Sequence, residues 1–355
     1  MGRCTGTTPR TVSQPRYSHL LTGLLRYARL TRYPDAAHGF LFQHHDRFAG
    51  DVEAFLSEPG PANEPIHPRP DESAVTARGV PAVASNSEQR SPGRREVTVV
   101  LVHGAFADAS SWAGVIELLQ QRGRTVVAPP NPLRGLDADS AYLASVLAQI
   151  DGPVLLVGHS YAGAVISNAA TMAGNVRGLV YVAAFVPDEN EVLGAVAATS
   201  RDSLLGTAQV PRRYPTGPAG QTATEFAIDP AKLHEVFAAD LTPEQAAVLA
   251  ATQRPVAEAA FTDAAGPPAW KTLPSWAVVA TADKAAGTDV VRPMAQRAGA
   301  EIIELDGSHV IMVSQPGPVA DLIDRALAAV ATAADVPAPR QALQQAADPI
   351  AGPAS

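Results

Sequence analysis

A doubly wound α/β domain, with a mostly parallel sheet and a helical cap inserted into it, is the fold class predicted from the sequence. Three observations predict it. Short β-branched runs recur between Val97 and about Ala334, helical periods separate them, and one long stretch from Pro187 to Lys271 interrupts the alternation.

The expected strands are Val97–Gly104, Thr125–Pro129, Pro153–Gly158, Gly178–Ala184, Ser275–Thr281 and Glu301–Gly307, each an apolar run that reads as buried on both faces. Between them AGVIELLQQRG, DSAYLASVLAQI and PGPVADLIDRALAAVA carry apolar residues at helical spacing. Strand–helix alternation of this kind builds a parallel sheet. In the interrupted stretch no run reads as a strand, and broken helical pieces around PAKLHEVFAADLTPEQAAVLAATQ are expected to form the cap over the sheet's edge, at about 187–271.

Composition divides the rest. Residues 1–58 form an N-terminal extension, 59–95 a Pro-, Ser-, Glu- and Arg-rich linker expected to be disordered, 96–334 the α/β domain, and 335–355 an Ala/Pro/Gln tail also expected to be disordered. The chain has 355 residues, 46% hydrophobic and 17% charged, enough to bury a sizeable core. Its formal net charge of -8 gives no electrostatic reason to expect nucleic acid or an anionic membrane as partner. Cys4 is its one cysteine, so an intrachain disulfide and a cysteine zinc cage are excluded. LLTGLL, cut short by Arg26, is too brief for a signal core, and no apolar run reaches the roughly 20 residues of a membrane span. A cytoplasmic protein without cofactor or metal is expected, and its oligomeric state is not legible.

Chemistry is concentrated at LLVGHSYAGAVI, where Ser160 stands between an apolar strand and a small-residue helix. Small residues two before and two after such a serine let strand and helix approach while the backbone makes a strained turn. Gly158 meets that pattern, whereas Ala162 replaces the second glycine and Gly163 follows it. A serine hydroxyl needs a base to take its proton, and the base needs an acid to hold its tautomer. His309, after the last strand across Asp306-Gly307-Ser308, is the expected base. Asp283, directly after SWAVVAT, leads as the acid, ahead of Asp188, Asp289 and Asp306, with Asp188 the runner-up. For the oxyanion, backbone N–H groups of Tyr161, next to the serine, and Ala105, after His103-Gly104, are the expected donors.

These residues resemble serine-dependent α/β-hydrolases that lack the leading antiparallel hairpin, a group related to plant methylesterases and hydroxynitrile lyases. The likeness runs from VVLVHGAFADASSW through GHSYAGAVI and YVAAFVPDE to AGAEIIELDGSHVIMVSQP, covering nearly all of 97–331. It implies the α/β-hydrolase fold, with Ser160 as nucleophile, His309 as base, Asp283 as acid, and Ala105 and Tyr161 at the oxyanion. The lyases of that group carry threonine where Gly104 stands and lysine where Val310 stands. Hydrolysis of a small carboxylic ester through an acyl-enzyme is therefore the expected reaction. Lyase-like chemistry on the same three side chains, and a hydrolase-fold ligand receptor, are the alternatives.

The segment from Arg29 to Glu58 resembles the last strand, histidine loop and closing helix of a second α/β-hydrolase, with DAAHGF at the loop; no serine elbow precedes it, so His38 is expected to be inert. Its helix, Asp46 to Leu56, would place Phe48, Val52, Phe55 and Leu56 on one face. His38, His44 and His45 lack a fourth ligand nearby for a metal site. Trp270, Trp276, Phe226, Phe237 and Phe261 are available to line a pocket, and Arg201, Arg212 and Arg213 to meet a carboxylate.

Overall fold

The computed structural model describes residues 44–57, 96–217 and 220–333, and the chain divides into two units, Met1–Ser87 and Glu88–Ser355. In the first unit, α1 (His45–Ser57) has Asp46 in its first turn, favourable to the helix dipole, and Ser57 Oγ donates to Glu53 O at 2.8 Å. Val52 and Phe55, which share a face at helical spacing, are 38% and 46% exposed. His38, the linker and the tail lie outside the described residues.

The second unit holds a six-stranded parallel sheet: β1 (Thr98–Val102), β2 (Val126–Val127), β3 (Val154–His159), β4 (Val176–Val182), β8 (Ser275–Ala280) and β9 (Glu301–Leu305), in spatial order β2-β1-β3-β4-β8-β9. The apolar runs that mark β1, β3, β4 and β8 in the sequence are buried through nearly their whole length. The expectation of two buried faces fails for β2 and β9. Both are sheet edges, and β9 leaves Glu301 and Glu304 exposed.

Helices cover both faces. Side chains three apart on a strand point to opposite sides. A Cβ at Gly178 would lie 2.8 Å from Val330 of α12 (Pro316–Ala333). The Tyr181 hydroxyl instead meets Ser167 Oγ of α4 (Ala162–Met172) at 2.8 Å. So α12, packed beside α2 (Ala113–Gln121), covers one side, and α4, packed beside α3 (Leu136–Leu147), the other. The chain reverses its direction of winding between β1 and β3, which opens a crevice at their C-terminal ends.

Between β4 and β8 the expected helices are present, and so is a sheet the sequence did not announce. After the short turns α5 (Leu193–Ala197) and α6 (Leu205–Ala208) come β5 (Gln209–Pro215), β6 (Thr222–Ile228) and β7 (Val256–Ala257), antiparallel in the order β5-β6-β7. The cap is therefore not purely helical. Strand β5, QVPRRYP, carries two prolines and two arginines, a composition that argues against a buried strand. It forms because it is a solvent-exposed edge, where a missing N–H costs no ladder bond, and β6 pairs with it residue by residue from Gln209↔Ile228 to Pro215↔Thr222.

The two cap helices each open on a capping residue. In α7 (Pro230–Phe237) the Asp229 side chain accepts from Ala231 N with proline at the first turn. In α8 (Pro243–Thr252) Thr242 and Gln245 make a reciprocal capping box. A further turn, α9 (Ala259–Thr262), precedes β8; α10 (Thr288–Arg297) lies between β8 and β9, and α11 (Ile311–Ser314) follows β9. Among the described residues no helix is long and apolar enough to cross a membrane.

Candidate active site

Ser160 stands at the end of β3 with φ of 55°, a left-handed value that a non-glycine residue adopts only when its surroundings enforce it. The enforcement is visible. Ser160 N–H donates to Val182 O at 3.2 Å, and Ser160 O accepts from Gly163 N at 3.0 Å and Phe185 N at 3.2 Å. A Cβ at Gly158 would lie 2.7 Å from Ala162 O, so strand and helix touch through that glycine. Ala162 itself is buried without conflict. The more demanding position is Gly163, where a Cβ would lie 2.1 Å from Phe185 O.

The loop after β1 runs directly against the serine. A Cβ on Gly104 would be 2.7 Å from Ser160 Cβ and 2.8 Å from His159 O, which leaves no room for any side chain. That approach brings Ala105, 3% exposed, to the same end of the sheet as Tyr161, the residue before α4. His103 fixes the loop from beneath: its Nε2 accepts from Asn131 N at 2.9 Å, its Nδ1 donates to Gly104 O at 2.9 Å, and its main-chain O accepts from Asn131 Nδ2 at 3.1 Å.

His309 follows β9, and its Nδ1 donates to Asp283 Oδ2 at 2.7 Å, with both side chains essentially fully buried. The other carboxylate oxygen, Oδ1, accepts from Ala285 N at 2.8 Å and Ala286 N at 2.9 Å. With Nδ1 carrying the proton, Nε2 holds a lone pair. It is buried and has no hydrogen-bond partner among the described residues. The structure brings no other proposed acid to the imidazole. Asp188 pairs with Lys271, whose ammonium holds its carboxyl below the usual range. Asp289 accepts from Ser200 Oγ at 2.6 Å and Arg201 N at 2.8 Å, and Asp306 accepts from Thr281 Oγ1 at 3.2 Å.

Two neighbours of His309, His159 and Asp240, did not emerge from the sequence as part of the site, and Phe237 stood there only as one of five aromatics available to line a pocket. His159 donates from Nε2 to His309 O at 3.0 Å, so the residue before the serine is bonded to the main chain of the histidine, their rings 4.7 Å apart. Phe237, at the end of α7, packs its ring 5.0 Å from the His309 ring and 6.3 Å from that of Phe106. Asp240, just beyond α7, accepts the hydroxyl of Ser308, the residue before His309. Only the GHS spelling hinted at His159, Phe237 was marked by its aromatic ring alone, and nothing local marks Asp240.

Four of the remaining aromatic and arginine candidates are engaged elsewhere. Trp276 is on β8, not in the cap, and its Nε1 donates to Glu301 Oε2 at 3.1 Å, while Trp270 Nε1 donates to Pro187 O at 2.9 Å. Arg213 bonds Thr222 and Thr224 across the hairpin, and Arg201 lies 3.8 Å from Asp289.

Burial drives the pKa values of His103 and, far more strongly, His159 down; the neighbouring His309 adds to the effect at His159. The folded rings therefore bind a proton less readily than those of the unfolded chain, which protonate near the usual 6.5. Below that pH the unfolded chain binds more protons, so stability is full above about 6.5 and falls as the pH drops, by up to about 1.4 kcal/mol per unit for each ring. Urea unfolding at pH 7.5 and 5.5 is expected to show that loss. Equal stability at the two values would mean that the rings are not held neutral.

A strained serine at a strand–helix turn, a buried histidine–carboxylate pair and an abutting glycine loop, all at the C-terminal end of one parallel sheet, define an α/β-hydrolase. Residues 99–322 match the sequence model of the Alpha/beta hydrolase family, and the chain belongs to it. Among curated proteins, a carbendazim hydrolyzing esterase from Nocardioides sp. (strain SG-4G) is 34% identical over 110 residues, 27% of this chain and 46% of the relative. The match thus spans about half of that relative's length. Among solved structures, polyneuridine aldehyde esterase superposes with a TM-score of 0.55 at 22% identity, over 65% of this chain and all of that one (100%). A tomato methylketone synthase I variant complexed with beta-ketoheptanoate does so with a TM-score of 0.56 at 22% identity, over 66% of this chain and 99% of that one. The pyrethroid hydrolase PytH does so with a TM-score of 0.53 at 22% identity, over 67% and 99%. At these identities the structural likenesses speak for the fold.

Proposed function

We propose that this chain is a carboxylic ester hydrolase that cleaves a small ester through an acyl-enzyme on Ser160. The observation that carries the reading is the buried His309 Nε2, left without a hydrogen-bond partner among the described residues on the ring whose Nδ1 pairs with Asp283. In this reaction Nε2 takes the Ser160 proton as Oγ attacks the ester carbonyl. Asp283 stabilises the imidazolium that forms, and the N–H groups of Tyr161 and Ala105 receive the oxyanion. His309 then returns its proton to the departing alcohol. Water repeats the sequence on the acyl-enzyme, restoring Ser160 and releasing the acid.

The comparisons support the reaction class, since the carbendazim relative is itself named an esterase. The closed surroundings support a small and uncharged substrate: Ser160 is 6% exposed, Phe237 packs its ring against His309, and Phe106 packs edge-on against Phe237. Two features weigh against lyase chemistry. Val310 is fully buried where the resembling lyases have a cationic lysine, and position 104 has no space for their threonine. Hydrolysis of a short-chain p-nitrophenyl ester by the purified chain, beside Ser160→Ala at matched concentration, tests the proposal. Turnover is expected in the wild type and only background in the variant. A folded wild type no faster than Ser160→Ala across acyl lengths would sink the ester reading.

A further inference from the structure

The reaction just described uses no part of a second buried carboxylate close to the elbow. Asp139, in the first turn of α3, is 0% exposed, and Tyr161, the residue after the nucleophile, is 1% exposed. The Tyr161 hydroxyl donates to Asp139 Oδ2 at 2.8 Å, and Asp139 Oδ1 accepts from Arg134 N at 3.0 Å. The network continues to the cap, for Arg134 Nη1 is 2.7 Å from Glu225 Oε2 on β6 and its guanidinium lies 4.4 Å from the centre of the Tyr214 ring on β5.

A buried carboxylate is costly unless its oxygens are bonded, and a phenylalanine would fill the same volume as Tyr161 without requiring one. The hydroxyl therefore needs an explanation beyond packing, and the main chain at this point supplies it. Ser160 is held by three backbone bonds and Tyr161 O accepts from Ala164 N at 3.1 Å, whereas among the described residues the Tyr161 N–H takes no backbone acceptor. An oxyanion donor must be free of internal acceptors and yet fixed in direction. Anchoring the far end of its own side chain meets both demands.

We propose that Asp139 is a positioning residue for the oxyanion site, holding the ring of Tyr161 by its hydroxyl so that the Tyr161 N–H keeps its place at the elbow. The inference rests on the serine-hydrolase reading above. Because Arg134 ties the same carboxylate to the β5–β6 hairpin, the cap and the oxyanion donor share one support.

Tyr161→Phe, Asp139→Asn and the double variant are compared with the wild type for kcat and KM on the p-nitrophenyl ester, for the rate at which a fluorophosphonate labels Ser160, and for Tm. Tyr181→Phe, which loses a buried hydroxyl bond to Ser167 away from the oxyanion, is the control. Both single variants are expected to lower kcat about tenfold with KM changed less than about twofold, because a displaced donor fails the transition state and not the ground state. Labelling slows by the same factor, the double variant is no worse than either single one, and Tyr181→Phe lowers Tm alone. Wild-type kcat and labelling in Tyr161→Phe overturn the inference, and that variant keeps the ring and decides the matter even where Asp139→Asn fails to fold. A wild type that neither hydrolyses esters nor takes the phosphonate sinks the serine-hydrolase reading and this inference with it. An active, labelled wild type with an equally active Tyr161→Phe sinks this inference only.

Discussion

Asp283→Asn is expected to lower kcat about ten-thousandfold while leaving the fold intact. The geometry gives the reason. Oδ1 of Asp283 accepts two N–H bonds, from Ala285 and Ala286, so an asparagine there must turn its carbonyl oxygen to them. Its NH2 then faces His309 Nδ1, which sits 2.7 Å from the other oxygen in the native pair. A donor in that place forces Nδ1 to accept and moves the ring proton to Nε2. The base then has no lone pair for the serine. Asp188→Asn, which removes a carboxylate paired with Lys271, is expected to change kcat by less than about twofold. Steady-state kinetics of the two purified variants check this, and the reverse ranking would transfer the acid's role to Asp188.

Gly163→Ala should be the most disruptive single-methyl change in the elbow. Its Cβ would fall 2.1 Å from Phe185 O and 2.9 Å from Ala184 Cβ. The chain there cannot simply recede, because Phe185 N–H is bonded to Ser160 O at 3.2 Å and Ala183 N–H to Val278 O at 2.8 Å. A loss of about 3 kcal/mol in unfolding free energy is expected, together with near-complete loss of ester turnover, since relief of the contact must unwind the turn that carries the serine. Ala162→Gly, one residue earlier, should cost about 1 kcal/mol or less, the usual helix penalty for glycine. Chemical denaturation of both variants measures the difference. Native stability in Gly163→Ala would show that the strand–helix contact is looser than described.

The same pair of positions shows how far the sequence could be read. Gly158 and Ser160 identify a strand–helix elbow from spacing alone, and Ala162 looked like a departure from the expected glycine. The structure moves the steric requirement one residue on, to Gly163, because it is the β4–cap connection at Phe185 that presses on the helix. Contacts with a segment more than 20 residues away leave no local trace. Strand β5 was missed for a related reason: Pro211, Arg212, Arg213 and Pro215 have no strand period, and their extended form depends on β6. Strands β1, β3, β4 and β8 were legible because burial on both faces demands an unbroken apolar run, whereas β2 and β9 were read as too deeply buried because the same signal cannot tell an edge from a centre.

By itself the sequence determined the alternation of strands and helices, the serine elbow, the glycine loop after β1, and a histidine and several aspartates placed after later strands. Each of these is a local property: a period, a cap or a small residue at a turn. Tertiary structure decided which aspartate meets His309, that Phe237 from the cap packs on the His309 ring and Asp240 bonds Ser308, that Tyr161 is anchored to Asp139, and that β5 is a strand at all. Such pairings arise where packing brings distant segments within hydrogen-bond reach and removes the water that would otherwise satisfy them, and no single stretch of chain encodes that proximity.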